Sequence, residues 1–197
     1  MLWAITSWYS IVEISCEQSI TNVSSSFFSA KYQKHIDEIL IAPVNENVII
    51  TGYLLGGLCR GIIVGVIVIS IFSLLGSIKI YSTILVLYVI TLSGLLFALA
   101  GFLNAIYAEK FDDIAIIPTF VILPLTYFGG VFYSVDILPK FWQQITYMNP
   151  IFYIINSFRY AMLGSADLSF TYSITTISIL VIVLYIISYR LVKNGIG

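Results

Sequence analysis

Glu13 and Glu17 stand four residues apart in a segment, residues 2–28, that is otherwise apolar or small and polar. That spacing puts both carboxylates on one face of a helix. There they could hold a proton or a coupling cation; equally, they could face the interior of a helical bundle or lie beyond a shifted membrane boundary. Few other residues could do chemistry. His35 is the one histidine, and no Cys or carboxylate accompanies it at ligand spacing, so no metal site is expected. Cys16 and Cys59 lie far apart in apolar surroundings with no CxxC, and both read as small buried hydrophobes. The chain has no GxxxxGK[ST] phosphate loop, no HExxH and no GxSxG. A single histidine also rules out most imidazole acid–base schemes. No catalytic residue and no bound cofactor are expected.

The elements that must position these groups are set by charge-free stretches. Between Arg60 and Lys79 lie 18 uncharged residues, between Lys79 and Glu109 lie 29, and 22 lie both between Asp113 and Asp136 and between Asp167 and Arg190. About 20 mostly apolar residues cross a hydrocarbon core as a helix. Backbone groups find no water there, so each stretch must close its own hydrogen bonds. The composition agrees, at 59% hydrophobic and 10% charged, against about 25% charged in a soluble domain. The net charge of -1 leaves no basic stripe for a nucleic acid. The chain therefore reads as one all-α polytopic membrane domain, residues 1–197, with about five transmembrane helices. A weak first segment covers residues 2–28, and a polar stretch covers 29–47. Spans follow at 48–75, 82–107, 114–133 and 172–189. With no basic n-region and two glutamates in its apolar run, the N-terminal segment does not read as a cleavable signal peptide.

Basic residues set the orientation. Lys31, Lys34, Arg60, Lys110, Arg190 and Lys193 fall on one side and Lys79, Lys140 and Arg159 on the other, which makes the first side cytoplasmic. Arg60 is counted there as lying near that end of its span, within snorkelling reach of the interface. The same span carries Gly57, Gly61 and Gly65, and the next carries Gly94, Ala98, Gly101 and Ala105. Such ridges let helices approach closely, within one subunit or across a dimer seam.

Two segments stand apart from the spans. Over residues 29–41, Tyr32, Ile36, Ile39 and Leu40 recur at helical spacing while Lys31, Lys34, His35, Asp37 and Glu38 take other faces, and Pro43 stops the helix. An amphipathic helix in a cytoplasmic loop either lies on the membrane surface or seats its apolar face on a soluble partner. Residues 136–164 form the second. Pro139 opens a short helix carrying Trp142, and Asn149-Pro150 ends it and starts another through Tyr153 and Arg159. Neither piece is long enough to cross, so the pair reads as a helix–break–helix hairpin dipping into the outer leaflet, with Lys140 and Arg159 near its watery ends. One distorted extra span is the alternative.

These residues carry a resemblance. Asn22-Val-Ser-Ser-Ser-Phe-Phe with Ala30-Lys-Tyr-Gln-Lys, and Ile39-Leu-Ile-Ala-Pro-Val44, resemble the cytoplasmic loop of ABC type 2 permeases. Phe111-Asp-Asp-Ile, Pro118-Thr-Phe and Pro124-Leu-Thr-Tyr-Phe-Gly-Gly-Val-Phe-Tyr-Ser134 resemble that family too. So does Leu138-Pro with Phe141-Trp, Asn149-Pro, Tyr153 and Phe158-Arg-Tyr160. The resemblance covers residues 22–197. It implies an exporter permease in membrane lipid, paired with a second copy and with two ABC ATPase subunits that bind ATP and Mg. The loop helix, with Tyr32, Lys34, Ile36, Asp37, Glu38 and Leu40, would dock on the ATPase. The hairpin, with Pro139, Trp142, Asn149, Pro150, Tyr153 and Arg159, would be the external re-entrant element.

The front departs from the pattern, since the family's interfacial helix and first span would precede Met1 and residues 1–19 match poorly. An inactive, truncated permease is one alternative reading. An ion-coupled secondary transporter using Glu13 and Glu17 is another.

Overall fold

The computed structural model describes residues 2–35, 44–75, 80–130 and 135–194. Helix α1 (Leu2–Tyr32) is one unbroken rod of 31 residues, about 46 Å at 1.5 Å per residue. The weak first segment is thus long enough to cross a bilayer. It lies between α2 (Glu46–Leu75) and α3 (Thr83–Tyr107).

Glycine ridges explain the fit. A Cβ on Gly61 would come 2.8 Å from the Ser15 carbonyl oxygen, and one on Gly101 would come 2.6 Å from that of Ile20. Serines of α1 then reach the partner backbones. Ser15 Oγ donates to the Gly61 carbonyl at 2.8 Å, and Ser24 Oγ to the Gly101 carbonyl at 3.0 Å. Both ridges pack within the chain, on α1, which decides between the two uses the sequence allowed them.

Among the described residues, α2, α3 and α8 (Phe170–Lys193) are the helices long and apolar enough to cross a membrane by length and composition. α3 carries the core. Val86, Val89 and Ile90 pack with α7 residues near one end, and Leu99, Phe102 and Ala105 pack with Val23 and Phe27 near the other.

The span expected at residues 114–133 differs. It is a composite of α4 (Phe111–Ile116), a π turn (Ile117–Ile122) and α5 (Leu123–Tyr127). It starts earlier and stops before the turn at residues 128–130. Its 17 residues sit at the lower limit of about 17 for a span. Proline chemistry accounts for the π turn. Pro118 has no N–H for the Ile114 carbonyl, and Asn104 of α3 supplies the donor instead, at 2.8 Å. The Leu123 N–H reaches back five residues to the Pro118 carbonyl.

After a short 3-10 turn (Val135–Ile137) come α6 (Lys140–Met148) and α7 (Pro150–Leu163), broken at Asn149-Pro150 as the sequence requires. Asn149 caps α7 by accepting from the Ile151 N–H at 3.0 Å. Gly164 ends α7 at φ 73, a left-handed cap that glycine adopts without strain.

Two sequence expectations are corrected. Residues 29–32 are the last turn of α1, not the start of a loop helix. Lys34 sits at φ 61 and breaks the chain direction there. Arg60 lies midway along α2, not near its cytoplasmic end, so it leaves the orientation count, which then stands at Lys31, Lys34, Lys110, Arg190 and Lys193 against the same three.

Candidate functional site

The outward face of α1 is polar for most of its described length. Glu13, Glu17, Thr21 and Ser25 recur every four residues and are exposed, and Ser10, Gln18, Asn22 and Ser29 beside them are half-buried. The opposite face, with Ile11, Ile20, Val23 and Phe27, is in the core. In a membrane helix this is unusual, because hydrocarbon cannot hydrate such a stripe. The glutamates therefore do not point into the bundle. Arg60 of α2 flanks them and donates from Nε to Gln18 Oε1 at 2.9 Å. On the other flank, between α1 and the composite column, a cavity of about 150 Å³ opens beneath Glu13 and Glu17. Its walls include Phe97 of α3, Pro118 and Ile122 of the π turn, and Ile154 of α7. Cys16 is buried there as expected, while Cys59 is exposed on α2.

The hairpin is pinned at three points. At its tip, Asn149 Nδ2 donates to the Leu125 carbonyl of α5. At its mouth, Arg159 pairs with Asp167 at 3.0 Å and donates to the Gly130 carbonyl at 2.7 Å. The Val135 N–H donates to the same Asp167 carboxylate at 3.4 Å. The chain entering the hairpin and the chain leaving it thus meet on one carboxylate. Behind them Asn156 holds the loop into α8. Its Oδ1 accepts from the Asp167 and Leu168 N–H groups at 3.0 and 3.1 Å, and its Nδ2 donates to Ser173 Oγ at 2.9 Å. Tyr81 and Ser82, just ahead of α3, donate backbone N–H groups to Met162 and Ala161 carbonyls at 3.0 and 3.1 Å. The mouth therefore lies at the N-terminal end of α3.

A family model described as ABC-2 type transporter matches residues 14–163. The chain belongs to the ABC-2 type transporter family. The match ends where α7 ends and begins ahead of residue 22, so Glu17 falls inside it. The chain is 44% identical over 176 residues to the inner membrane transport permease YadH of Escherichia coli (strain K12), covering 89% of this chain and 69% of that protein. Over 172 residues it is 24% identical to nodulation protein J of Rhizobium leguminosarum bv. viciae, covering 87% of this chain and 66% of that one.

Within this ABC-2 chain the expected hairpin residues come together. Pro139 precedes α6, Trp142 lies parallel to Phe128 with centroids 6.0 Å apart, and Tyr153 donates its hydroxyl to the Tyr147 carbonyl at 2.7 Å. Lys140 is exposed, but Arg159 is not a free watery end; its side chain is 15% exposed and clasped. Of the expected ATPase-docking residues, Ile36, Asp37, Glu38 and Leu40 lie outside the described residues. Tyr32 and Lys34 lie at the end of α1. Tyr32 is 67% exposed and packs on Phe111 at 5.5 Å. Beside it Lys31 donates to the Ile106 and Ala108 carbonyls at 2.6 and 3.1 Å, which places this end at the C-terminus of α3. The Lys31 end of α1 and the hairpin mouth are thus separated by the length of α3, about 37 Å.

Sequence reasoning missed Thr21, Asn22 and Ser25 as parts of one stripe with the glutamates. Their period of four was the available signal. It also missed Asp167 and Asn156, whose roles depend on contacts no local pattern encodes.

Proposed function

We propose that this chain is an inner-membrane permease subunit of an ATP-driven exporter, working as a homodimer with two separate ATPase subunits that bind ATP and Mg. The observation that carries this reading is the polar stripe of α1. Lipid tails cannot hydrate its two exposed carboxylates, Glu13 and Glu17, and a charged side chain at the bilayer centre costs about 2.5–3.5 kcal/mol on insertion scales. A facing copy of the permease and a hydrated path between the two copies would meet that need.

The segment from Tyr32 and Lys34 through Ile36, Asp37, Glu38 and Leu40 would dock on the ATPase. α1 begins its last turn at that end and is clasped along its length by glycine ridges, so it can carry a displacement as a rigid body. On the opposite side the hairpin would cap the path from outside. Its two mouths meeting on Asp167 favour entry and exit on one side of the membrane. The name of the YadH relative and the basic residues near Lys31 and Lys193 support an inner-membrane protein with its C-terminus in the cytoplasm.

Co-purification tests the coupling. A tagged permease should retain its cognate ABC ATPase, and the double change Ile36→Asp, Leu40→Asp should release it while the permease stays inserted. Retention of the ATPase by that variant would remove the docking role. Transport that continues in ATP-depleted vesicles under an ion gradient would replace this reading with ion coupling through Glu13 and Glu17.

A further inference from the structure

The cavity under Glu13 and Glu17 combines two chemistries on opposite sides. Its deep wall, with Ile20, Phe97, Ile122 and Ile154, is apolar, and its rim on α1 carries two carboxylates one helical turn apart. Among the described residues lining it there is no Lys, Arg or His, so its formal charge is negative. We propose that this cavity is a binding site for cationic amphiphiles, molecules with an apolar body and an ammonium-type head. The assignment rests on the permease reading above, and it names that permease's substrate class.

Size and shape favour an amphiphile over an inorganic ion. A sodium or calcium ion needs several oxygens arranged around it. Here the carboxylates share the lining mostly with Ile, Leu, Phe and Pro side chains, and Thr119 and Thr126 add only two hydroxyls. A cavity of about 150 Å³ matches one that takes up a benzene ring, so it would hold a ring or a short alkyl segment. The rest of the molecule would run along the open groove beside α1. The π turn contributes the wall in another way. It brings Pro118 and Ile122 into the cavity lining, and π turns inside helices commonly mark functional sites.

The head-group preference follows from charge. Next to low-dielectric walls a carboxylate attracts a fixed cation more strongly than it would in water. An anionic head at the same position is repelled by both glutamates, and a neutral head gains nothing from them. Selectivity is thus expected in the head, and affinity in the apolar body.

Equilibrium binding tests this without ATP. The permease is placed in nanodiscs of zwitterionic phosphatidylcholine. Two fluorescent probes are titrated that share a dansyl-undecyl body and end in trimethylammonium or in carboxylate. The trimethylammonium probe should bind saturably and about tenfold tighter than the carboxylate probe. Glu13→Gln with Glu17→Gln should erase that preference while leaving the carboxylate probe's affinity no weaker, and Ile122→Trp, which fills the cavity, should abolish binding of both. Retention of the co-purified ATPase by each variant reports that it is folded. Equal affinities in the unaltered protein, or a head-group preference that survives the double Gln change, would overturn the assignment. Either result could occur with ATPase coupling intact, so failure here is distinct from failure of the permease reading.

Discussion

Asn104 holds its amide nitrogen 2.8 Å from the carbonyl of Ile114, the oxygen that Pro118 leaves without a helical donor. Asn104 is buried, at 6% exposure, so no water replaces it. One residue of α3 thereby licenses the break in the neighbouring column. Asn104→Leu keeps the volume and removes the donor, and leaving a buried carbonyl unsatisfied costs about 1–3 kcal/mol. The expected result is a lower midpoint of thermal unfolding in detergent. Thr91→Val is the control, because that hydroxyl only bonds the Leu87 carbonyl of its own helix. Equal midpoints for the two variants would show that the column does not depend on Asn104.

The glycines of α2 are not equivalent. At Gly61 an added Cβ would press on the α1 backbone, 2.8 Å from the Ser15 oxygen, whereas at Gly52 it would meet nothing within 4 Å. Gly61→Ala should cost about 1–3 kcal/mol, the usual range for overpacking. Gly52→Ala should gain about 0.5–1 kcal/mol from helix propensity. Thermal midpoints moving in opposite directions are the expected outcome. A neutral Gly61→Ala would mean that α1 and α2 do not approach as closely as described.

Asp113 gives a pH dependence with a definite sign. Its carboxylate accepts the Lys110 N–H at 2.8 Å and the Glu109 N–H at 3.0 Å. Those backbone donors, Lys110 first, hold its pKa below the ordinary carboxylate value. A lowered folded pKa stabilises the fold above the unfolded value of about 3.9. That contribution is lost as pH falls through the lowered one. The midpoint difference between the unaltered protein and Asp113→Ala should be constant near neutrality and shrink below about pH 4. A difference that grows on acidification would reverse the assignment.

Helices were readable wherever one local pattern decided them. The charge-free runs located α3, α8 and the second half of α2, and Asn149-Pro150 located the break between α6 and α7 to the residue. The composite column was readable only in part. Pro118 and Pro124 announced a disturbance, but its form as a π turn depends on a donor from Asn104, ten residues before Ile114 on another helix. α1 was undervalued because average hydropathy penalises the polar stripe that is its most informative feature. Arg60 was placed by proximity to a span end in sequence, while its partner Gln18 lies across a helix interface. For the candidate site, Glu13 and Glu17 were visible as a pair, but the cavity beneath them needs four elements to assemble.

The Asp167 carboxylate joins both mouths of the hairpin, since Arg159 and the Val135 N–H converge on it. Two measurements follow, in a background with Cys59→Ala because that thiol is exposed. Cysteines at Ile137 and Leu163, which are 80% and 53% exposed, should react with an impermeant reagent from the same, external side. Reaction from opposite sides would make residues 136–164 a crossing and would invert the orientation of α8. Val135, fully buried at 0% exposure, reports the clasp itself. Val135→Cys should label slowly, and adding Asp167→Ala should raise its rate about tenfold, the factor that 1.4 kcal/mol of lost closure gives. Asp167→Asn retains an acceptor for the backbone N–H but loses the charge pairing, so its rate should fall between the two. Indifference of the rate to all three residues at position 167 would mean that the mouth is closed by Asn156 and the packing of α7, with the ion pair only lying over it.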